Sequence, residues 1–407
     1  MSNPGTIAVI GGSLAGLRGA EALRREGFAG RLVFVGAENH LPYDRPPLSK
    51  EVLRGTREPD RIQLAKPEKF EALELDLRLG RRATSLDLAG REVVLDDGER
   101  VAWDGLLIAT GATPRVLPGT PPLAGIHTLR TLDDCLALRA ELERGPRVAV
   151  VGAGFIGAEV AATCRQRDLE VALVEALDTP LAGAIPTRIG EVCAAVHCDH
   201  GVDLRTGVGV AGFEGGERVE RIRLSDGSTI EADVVVVGIG VSPETGWLAG
   251  SGLEIGDGVI CDQTCAASAP GVVAAGDVAR WHNPLFGVSM RVEHWTHAVE
   301  QGEAAARRLL ANDEEALPYA PAPFVWSDQY DMKIQSAGAF TPKDEMHIAH
   351  GTLAERRFVA LFGRAGRLVG ALAFNRVRQL LSYRRMIRER VSWDDALVHA
   401  EGRDPSA

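Results

Sequence analysis

Strand-like apolar runs alternate along this chain with segments that have the pattern of helices, and two stretches follow the same plan. In each stretch, a continuous apolar run leads into a glycine-rich turn, a helix and a second apolar run. The four strands are predicted at 6–10, 31–35, 147–151 and 170–174, and the two helices end near residues 26 and 166. Continuous apolar strands are typical of parallel sheets that are covered on both faces. The pattern therefore predicts two parallel α/β units.

Other segments have β-like patterns and interrupt this plan. The stretch 86–101 carries a hairpin signal at Asp96-Asp97-Gly98, and the stretch 219–230 carries one at Asp226-Gly227. After residue 318 the composition changes, with prolines at 318, 321 and 323. Beyond this linker we predict strands at 332–338, 356–362 and 368–373 and an arginine-rich helix that ends near residue 390. These elements indicate a small third domain.

Charge and composition narrow the functional classes. The net charge of −11 over 407 residues disfavours binding to nucleic acid or to anionic membranes. The N-terminal residues lack the pattern of a secretion signal, and the apolar run 232–241 is too short to span a membrane. The six cysteines are scattered without a CxxC pair, so we interpret them as reduced thiols of a cytoplasmic protein.

The first glycine-rich turn has the pattern of a dinucleotide site. It reads Gly11-Gly12-Ser13-Leu14-Ala15-Gly16 and opens a predicted helix, whose N-terminal N–H groups suit a pyrophosphate. Serine stands where the middle glycine is usual. Glu38 follows the second strand and can bind ribose hydroxyls. The alternative is a structural glycine turn in another kind of α/β protein.

The second turn carries the complete GxGxxG pattern. Gly152-Ala153-Gly154-Phe155-Ile156-Gly157 lies between a strand and a helix, and Glu175 ends the next strand. A carboxylate at this place binds the adenosine ribose of NADH and repels the 2′-phosphate of NADPH. Residues 176–186 contain no basic side chain, so we expect NADH as the donor. Two dinucleotide sites in one chain are typical of a flavin reductase that takes hydride from NADH.

Further motifs resemble the flavoprotein superfamily that binds two dinucleotides. Residues 107–112 resemble its ATG strand, where the chain crosses from the first domain to the second, and residues 234–243 resemble the segment where the chain crosses back. Residues 264–277 resemble its second FAD fingerprint. Residues 43–50 (YDRPPLSK) and 324–330 (FVWSDQY) resemble more specifically the ferredoxin reductases of the putidaredoxin and rubredoxin reductase type. This resemblance covers essentially the whole chain.

The resemblance implies an α/β fold with two Rossmann-like dinucleotide-binding domains, for FAD and NADH, and a C-terminal α+β domain. It places the FAD domain at 1–112 and 241–318, the NADH domain at 113–240 and the third domain at 319–407. It further implies FAD and NADH/NAD+ as cofactors. The implied acceptor is a small acidic [2Fe–2S] ferredoxin or a rubredoxin, often with an oxygenase downstream. The chain would be a monomer or a homodimer.

The motifs and the resemblance together define a predicted set of cofactor-binding residues. For FAD and the crossings these are Gly11, Ser13, Leu14, Ala15, Gly16, Glu38, Arg45, Lys50, Ala83, Ala109, Thr110, Gly111, Arg130, Gly276, Asp277, Glu293, His294 and Trp295. For NADH they are Gly152, Gly154, Phe155, Ile156, Gly157, Glu159, Glu175, Gly238, Ile239 and Gly240.

Four residues are predicted to act in the chemistry at the flavin. We expect Lys50 to supply a cation near the flavin N5 edge and Glu159, in the first turn of its helix, to pair with it until nicotinamide enters. The alternatives are a surface lysine and a favourable charge at a helix N-terminus. Trp295 and Trp326 would flank the ring system, with core packing as the alternative.

The cysteines argue against thiol chemistry. Disulfide reductases of the superfamily carry a redox cysteine pair after the first nucleotide unit, and residues 39–60 contain no cysteine. Cys193 and His197 would share a helix face, with Cys198 and His200 nearby. We interpret that cluster as incidental rather than as a metal site, because no distant ligand pair completes it.

The arginine-rich stretch suggests a docking surface. Six arginines lie between 376 and 390, and an acidic ferredoxin would dock near Arg384 and Arg388. The alternative is a solvated face with pairs such as Arg385–Glu389. Two other functions remain open: an NADH oxidase or diaphorase without a protein acceptor, and an NADH-responsive interaction protein similar to apoptosis-inducing factor.

Overall fold

A computed structural model describes residues 5–402. The outermost parts of the predicted first and third domains, 1–4 and 403–407, lie outside the described residues. By contact density the described chain divides into two compact units, and each unit is built from three separate segments. The first unit contains 5–44, 62–113 and 242–323, and the second contains 45–61, 114–241 and 324–402.

The α-helices of residues 5–402 include both predicted turn-flanking helices. They are α1 (Leu14–Arg25), α2 (Glu51–Arg54), α3 (Pro67–Ala72), α4 (Leu132–Leu142), α5 (Phe155–Arg165), α6 (Thr187–Asp199), α7 (Trp295–Leu310), α8 (Val377–Arg388) and α9 (Trp393–Glu401). In this part of the chain, no helix is both long enough and apolar enough to cross a membrane.

The strands of the described chain follow the alternating pattern of the sequence. They are β1 (Thr6–Ile10), β2 (Arg31–Gly36), β3 (Leu75–Leu79), β4 (Ala83–Asp87), β5 (Glu92–Leu95), β6 (Arg100–Ala102), β7 (Gly105–Ile108), β8 (Ala112–Pro114), β9 (Ile126–His127), β10 (Val148–Val151), β11 (Val171–Glu175), β12 (Asp203–Thr206), β13 (Val210–Gly215), β14 (Val219–Leu224), β15 (Thr229–Glu231), β16 (Val234–Val237), β17 (Val241–Pro243), β18 (Ile255–Gly256), β19 (Gly258–Cys261), β20 (Val272–Ala274), β21 (Ala279–Asn283), β22 (Val288–Met290), β23 (Phe324–Gln329), β24 (Met332–Gly338), β25 (Glu345–Thr352), β26 (Arg357–Arg364) and β27 (Arg367–Phe374).

A parallel sheet forms the centre of the first unit, in the order β20-β7-β1-β2-β3. Successive residues of β1 enter different cores: Ile7 and Val9 pack on one face, and Ala8 and Ile10 pack on the other. A strand that buries both faces must be apolar at every position, which explains the continuous run in the sequence. The helices α1 and α7 pack against each other in the core that contains Ile7 and Val9.

The smaller sheets of this unit are mainly antiparallel. The order β4-β5-β6 confirms the hairpin predicted at Asp96-Asp97-Gly98, where Gly98 has φ of 86°. Glycine favours such a turn because a positive φ brings it no steric clash. A second small sheet has the order β18-β19-β21-β22.

The second unit repeats the parallel plan in the order β12-β11-β10-β16-β9, and an antiparallel sheet β13-β14-β15 follows from the predicted hairpin at Asp226-Gly227. Its C-terminal part is a five-stranded antiparallel sheet in the order β23-β24-β27-β26-β25 with α8 and α9. The sequence patterns did not predict β23, β25 or α9. The strand β25 lies at the sheet edge and is only partly buried, so its polar sequence carries little strand signal.

Candidate functional site

The first glycine-rich turn joins β1 to α1 through two close backbone approaches. Gly11 has φ of 126°, and a Cβ there would lie 2.0 Å from the Ala109 carbonyl oxygen. A Cβ at Gly16 would lie 2.1 Å from the Gly11 carbonyl oxygen. Neither position accepts a side chain without moving backbone. The turn is thus packed against Ala109 and Thr110, which with Gly111 form the crossing that the sequence predicted.

Ser13 occupies the position where the sequence departs from the usual glycine. Its φ of −125° is open to every residue type, so serine causes no backbone strain there. Its hydroxyl does not cap α1, although serine before a helix usually does. Leu14 and Ala15 open the helix and are buried. The first-turn N–H groups have no partners within the helix and suit a pyrophosphate.

Glu38 lies two residues beyond the carboxyl end of β2. The Tyr43 hydroxyl donates a hydrogen bond to its carboxylate, which fixes the orientation of the acid. Ala83 begins β4 and is buried. In the second unit, the Arg45 guanidinium donates to the Arg130 carbonyl oxygen at 2.6 Å, which brings together two of the predicted FAD residues.

The segment around Asp277 forms the second predicted FAD contact of the first unit. Gly276 has φ of 77°, and its N–H donates to Gln301 Oε1 at 2.8 Å. Trp295 begins α7, and its indole N–H donates to Asp44 Oδ1 at 2.7 Å. The structure therefore anchors Trp295 by its polar edge rather than only by packing.

His294 presents a buried nitrogen that fits a polar cofactor. The residue is half-buried, but its Nδ1 is fully covered and has no hydrogen-bond partner within residues 5–402. Burial lowers the pKa of His294 to about 4, against a smaller raising effect of Asp277. An unsatisfied buried nitrogen costs about 1–3 kcal/mol. Glu293 forms an ion pair with Arg291 at 2.6 Å and is exposed. The glycine cradle and this nitrogen together fit FAD.

The second glycine-rich turn joins β10 to α5 and has the same geometry. Gly152 has φ of 95°, and a Cβ there would lie 2.5 Å from the Gly238 carbonyl oxygen. A Cβ at Gly157 would lie 1.9 Å from the Gly152 carbonyl oxygen. Gly154 precedes the helix, which Phe155 and the exposed Ile156 begin. Ile239 and Gly240 follow β16 beside this turn, and Gly240 has φ of 96°.

Glu175 ends β11 with both carboxylate oxygens engaged. Oε2 accepts the N–H of Ala153 at 2.7 Å, and Oε1 accepts the N–H of Leu177 at 2.9 Å. The neighbouring strand β12 contains Arg205, a base that the local sequence did not reveal. Its guanidinium is held by both carboxylate oxygens of Asp203, at 2.7 and 2.9 Å. These contacts fit a nucleotide without a 2′-phosphate.

Glu159 lies in a buried polar cluster of the second unit. Lys50 Nζ donates to Glu159 Oε2 at 2.8 Å, and the Ser49 hydroxyl donates to the same oxygen. The Ser327 hydroxyl donates to Glu159 Oε1 at 2.7 Å. Thr163, one turn further along α5, donates to the Ser49 carbonyl oxygen at 2.7 Å. This bond ties residues 46–50, which begin with two prolines, to the helix. Only 3% of Glu159 is exposed, so these donors replace the water that the carboxylate has lost.

One detail of the expectation for Glu159 is wrong. The helix begins at Phe155, which places Glu159 in the second turn rather than the first, and the first turn contains no acidic residue. The reason is that Gly154 keeps an extended backbone and the helix begins after it. The carboxylate therefore binds side chains instead of free helix N–H groups, and the alternative of a charge at the helix end loses its basis.

Sequence reasoning did not assign a role to Ser49 or Ser327. Ser327 lies on β23 and is fully buried, although its two neighbours in the strand are half-buried. A buried serine in a strand has to satisfy its hydroxyl. The sequence could therefore have indicated that the Ser327 hydroxyl needs a buried partner. It could not have identified Glu159 as that partner, because Glu159 is 168 residues away in sequence.

Trp326 is half-buried on β23, and its ring lies 6.4 Å from that of Phe324. The Arg384 guanidinium lies over the Phe324 ring at 5.1 Å. All three residues belong to the second unit and are half-buried.

Five of the six cysteines are buried, and Cys198 is exposed. All six are free, and burial raises the pKa of Cys135, Cys164, Cys193 and Cys261 to about 12, which keeps these thiols protonated. Cys193 packs in the core between α6 and the C-terminal sheet. Within residues 5–402, no group of three His, Cys, Asp or Glu residues could hold a metal ion.

The arginine-rich stretch divides into buried and exposed members. Arg376 is buried, and Arg384 is half-buried. Four residues of α8 spaced at i, i+3, i+7 and i+10 share an exposed face, which we name the α8 stripe: Arg378, Leu381, Arg385 and Arg388. Leu381 is 56% exposed, and Arg385 forms the expected pair with Glu389 at 2.7 Å.

Comparison with known proteins agrees with this geometry. Residues 5–302 match the family model described as pyridine nucleotide-disulphide oxidoreductase, and residues 324–404 match the one described as reductase C-terminal. The chain is 37% identical over 384 residues to the ferredoxin–NAD(+) reductase component of the anthranilate 1,2-dioxygenase system of Burkholderia cepacia, covering 94% of this chain and 93% of that protein. It is 36% identical to the corresponding component of the biphenyl dioxygenase system of Paraburkholderia xenovorans, covering 95% and 94%.

Solved structures show the same relationship. The chain matches putidaredoxin reductase, in its covalent complex with putidaredoxin, with a TM-score of 0.92 and 28% identity over 98% of this chain and 99% of that one. It matches a ferredoxin reductase from Rhodopseudomonas palustris with a TM-score of 0.90 and 34% identity, over 97% and 99%. The predicted resemblance and the predicted fold class are confirmed. This chain belongs to the pyridine nucleotide-disulphide oxidoreductase family and is an FAD- and NAD(H)-dependent oxidoreductase whose relatives are ferredoxin reductases.

Proposed function

We propose that this protein is an NADH-dependent ferredoxin reductase that passes single electrons to a small acidic [2Fe–2S] ferredoxin or a rubredoxin, which in turn feeds an oxygenase. The observation that carries the proposal is the presence of two glycine turns, each with its own carboxylate. The buried thiols of the chain are protonated and therefore unreactive, which favours an acceptor outside the chain. The relatives with dioxygenase names point to the same acceptor class.

The proposal assigns a task to each part of the site. When bound, FAD accepts a hydride as an electron pair and releases the electrons one at a time. Glu175 holds the adenosine ribose of NADH, and the turn at Gly152 holds its pyrophosphate. Glu159 and Lys50 form an ion pair while the nicotinamide site is empty. The ion pair would open when the nicotinamide ring binds. Trp295 and Trp326 shield the reacting groups from water.

The same proposal covers the organisation of the chain. We assign FAD to 1–112 and 241–318, NADH to 113–240, and a C-terminal domain to 319–407. The free cysteines fit a reducing compartment, so we place the protein in the cytoplasm.

Glu159→Ala tests the role of the acidic group. The variant leaves Lys50 without its partner, so nicotinamide is seated poorly, and we expect the limiting rate of flavin reduction by NADH to fall by about tenfold to a hundredfold. Anaerobic stopped-flow absorbance measures that rate. Glu191→Ala, which removes an exposed acid from α6, serves as the control and should react like the wild type. An unchanged rate in Glu159→Ala would refute the assignment.

The acceptor is tested with the reduced enzyme. Mixing it anaerobically with a [2Fe–2S] ferredoxin should reduce the cluster within a turnover, as followed by its visible absorbance. Electrons that pass only to oxygen would instead show an NADH oxidase. A long-lived charge-transfer complex with NAD+ would show an NADH-responsive interaction protein.

We further propose that the α8 stripe is the docking surface for an acidic ferredoxin. Arg378 and Arg388 are exposed on one face, with the exposed Leu381 between them. Arg384 contributes less, because its guanidinium lies over the Phe324 ring. Exposed arginines on either side of an exposed leucine suit the approach of an acidic partner, and charge acts mainly on the association rate.

Reversing two charges tests this surface. The double variant Arg378→Glu/Arg388→Glu should slow ferredoxin-dependent cytochrome c reduction by about tenfold at low salt, with a smaller effect at high salt. Reduction of ferricyanide by NADH should stay unchanged. The charge-matched control Arg100→Glu/Arg223→Glu alters exposed arginines on β6 and β14. Equal losses in both double variants would contradict docking at the α8 stripe.

A further inference from the structure

A continuous series of hydrogen bonds runs from Glu159 to the edge of the second unit. Ser327 Oγ bonds to Glu159 Oε1 at 2.7 Å, and Gln329 Nε2 bonds to Ser327 Oγ at 3.2 Å. Gln329 Oε1 lies 3.1 Å from His197 Nε2, and His197 Nδ1 lies 3.2 Å from the Tyr330 hydroxyl. The series therefore connects α5, β23 and α6 through side chains alone.

The chemistry of the groups gives every bond in this series the same direction. The amide oxygen of Gln329 can only accept, so His197 Nε2 must carry the proton and donate. Burial lowers the pKa of His197 to about 4, so the ring is neutral near pH 7 and Nδ1 must accept from Tyr330. The amide nitrogen of Gln329 donates to Ser327, whose single proton then goes to Glu159. Each group thus donates towards the carboxylate.

The middle of the series is closed to water. Ser327 and His197 are 0% exposed and Gln329 is 2% exposed, so a broken link has no solvent to replace it. Tyr330 ends the series half-buried and stacks on the exposed His200, with the rings 3.6 Å apart. His200 in turn donates to the Val196 carbonyl oxygen at 2.8 Å, which anchors this end on α6.

We propose that Gln329 and His197 are positioning residues for Glu159. By holding Ser327 in its donating orientation, they fix Oε1 of the carboxylate and leave Oε2 to Lys50 and Ser49. The orientation of Glu159 then depends on side chains that do not touch it, because Gln329 and His197 act through Ser327. This inference rests on the proposed function of the Lys50–Glu159 pair.

Three histidine variants test the proposal. His197→Phe keeps the ring volume but removes the donor to Gln329, so we expect the limiting rate of flavin reduction to fall by roughly tenfold, with little change in the affinity for NADH. His197→Gln retains a donor at the Nε2 position and should recover most of that rate. His350→Phe is the matched control, because His350 is also a buried histidine bonded to a tyrosine hydroxyl, that of Tyr383, at 2.7 Å. That variant should react like the wild type.

A double variant separates positioning from general damage. In the Glu159→Ala background, His197→Phe should cause no further loss, because it acts through the carboxylate. Gln329→Leu breaks the same link and should match His197→Phe, which keeps the test available if one variant does not fold. A loss that persists in the Glu159→Ala background would overturn the proposal, as would full activity of both His197→Phe and Gln329→Leu. No effect of Glu159→Ala itself would instead refute the proposed function.

A second readout does not depend on activity. In holoenzyme labelled with ¹⁵N at histidine, the shifts of His197 should show the Nε2–H tautomer at pH 7 in the wild type. In Gln329→Leu that preference should weaken, because the acceptor is gone. An Nδ1–H tautomer in the wild type would contradict the direction of the series and overturn the proposal.

Discussion

At the scale of single residues, Glu175 is the acid that we propose to bind the ribose of NADH. Its two oxygens accept the N–H groups of Ala153 and Leu177, so the carboxylate is held in place by backbone on both sides. Each oxygen retains a further lone pair for a ribose hydroxyl. The nearby Arg205 forms an ion pair with Asp203. We therefore propose that preference for NADH depends on this one oriented carboxylate.

Glu175→Ala should weaken that preference. We expect kcat/KM for NADH to fall by the equivalent of about 1–3 kcal/mol, because charge-assisted hydrogen bonds to the ribose are lost. The value for NADPH should fall less or rise, since the repulsion is also removed. Steady-state ferricyanide reduction with both nucleotides measures the ratio, and Glu231→Ala, an exposed acid on β15, is the control. An unchanged NADH/NADPH ratio would contradict the role of Glu175.

At the scale of elements, the packing of α1 against α7 depends on small residues. A Cβ at Gly302 on α7 would lie 2.4 Å from the Ala15 carbonyl oxygen on α1. The two backbones thus approach more closely than ordinary side chains allow. Because the first glycine-rich turn leads directly into α1, this contact couples helix packing to the FAD site that we propose.

Gly302→Ala should therefore destabilise the protein by about 1–3 kcal/mol, since α1 must move to accept the methyl group. Two measurements report the effect: the melting temperature of the holoenzyme, and the rise in FAD fluorescence as FAD is released on heating. In the control Gly183→Ala, the new Cβ would meet no atom within 4 Å, so little change is expected. Equal melting temperatures for the two variants would show that the helices adjust without cost.

At the scale of the whole molecule, buried histidines link folding to pH. Burial lowers the pKa of His297 to about 3 and of His197 to about 4, against an ordinary value of 6.5. His297 stacks on Trp281 and bonds to the Tyr319 hydroxyl at 3.1 Å. Below pH 6.5 the unfolded chain binds protons that the folded chain does not bind. The stability that depends on these neutral rings is therefore complete above that pH and is lost as the pH falls towards 4.

His297→Phe should reduce this acid sensitivity. Each such histidine contributes a slope of about 1 kcal/mol per pH unit to the free energy of unfolding in this window. The fall in melting temperature of the holoenzyme between about pH 7 and pH 5 should thus be smaller in His297→Phe than in the wild type, whatever the variant's stability at neutral pH. His282→Gln changes an exposed histidine and should retain the wild-type slope. Identical slopes for all three proteins would exclude the buried ring as the cause.

The sequence by itself determined the two parallel sheets, the two glycine turns and the two acids, Glu38 and Glu175, that come at or just beyond the end of the strand after each turn. These features follow from local rules. Strands covered on both faces must be apolar, and a turn in which a Cβ would lie about 2 Å from a carbonyl oxygen excludes every residue but glycine. Spacing along the chain was enough to recognise them, and the resemblance of the longer motifs then indicated FAD, NADH and the family.

Only the tertiary structure decided which polar side chains meet. Ser327 forms a hydrogen bond with Glu159, His197 forms one with Gln329, and the Arg384 guanidinium lies over the Phe324 ring. These partners are separated along the chain by distances that no local pattern encodes. The tertiary structure also places Glu159 in the second turn of α5 and shows which arginines of the stretch 376–390 are buried and which are exposed. The physical reason is that a buried hydrogen bond is set by the packing of whole elements, whereas a turn or a strand is set by its own residues.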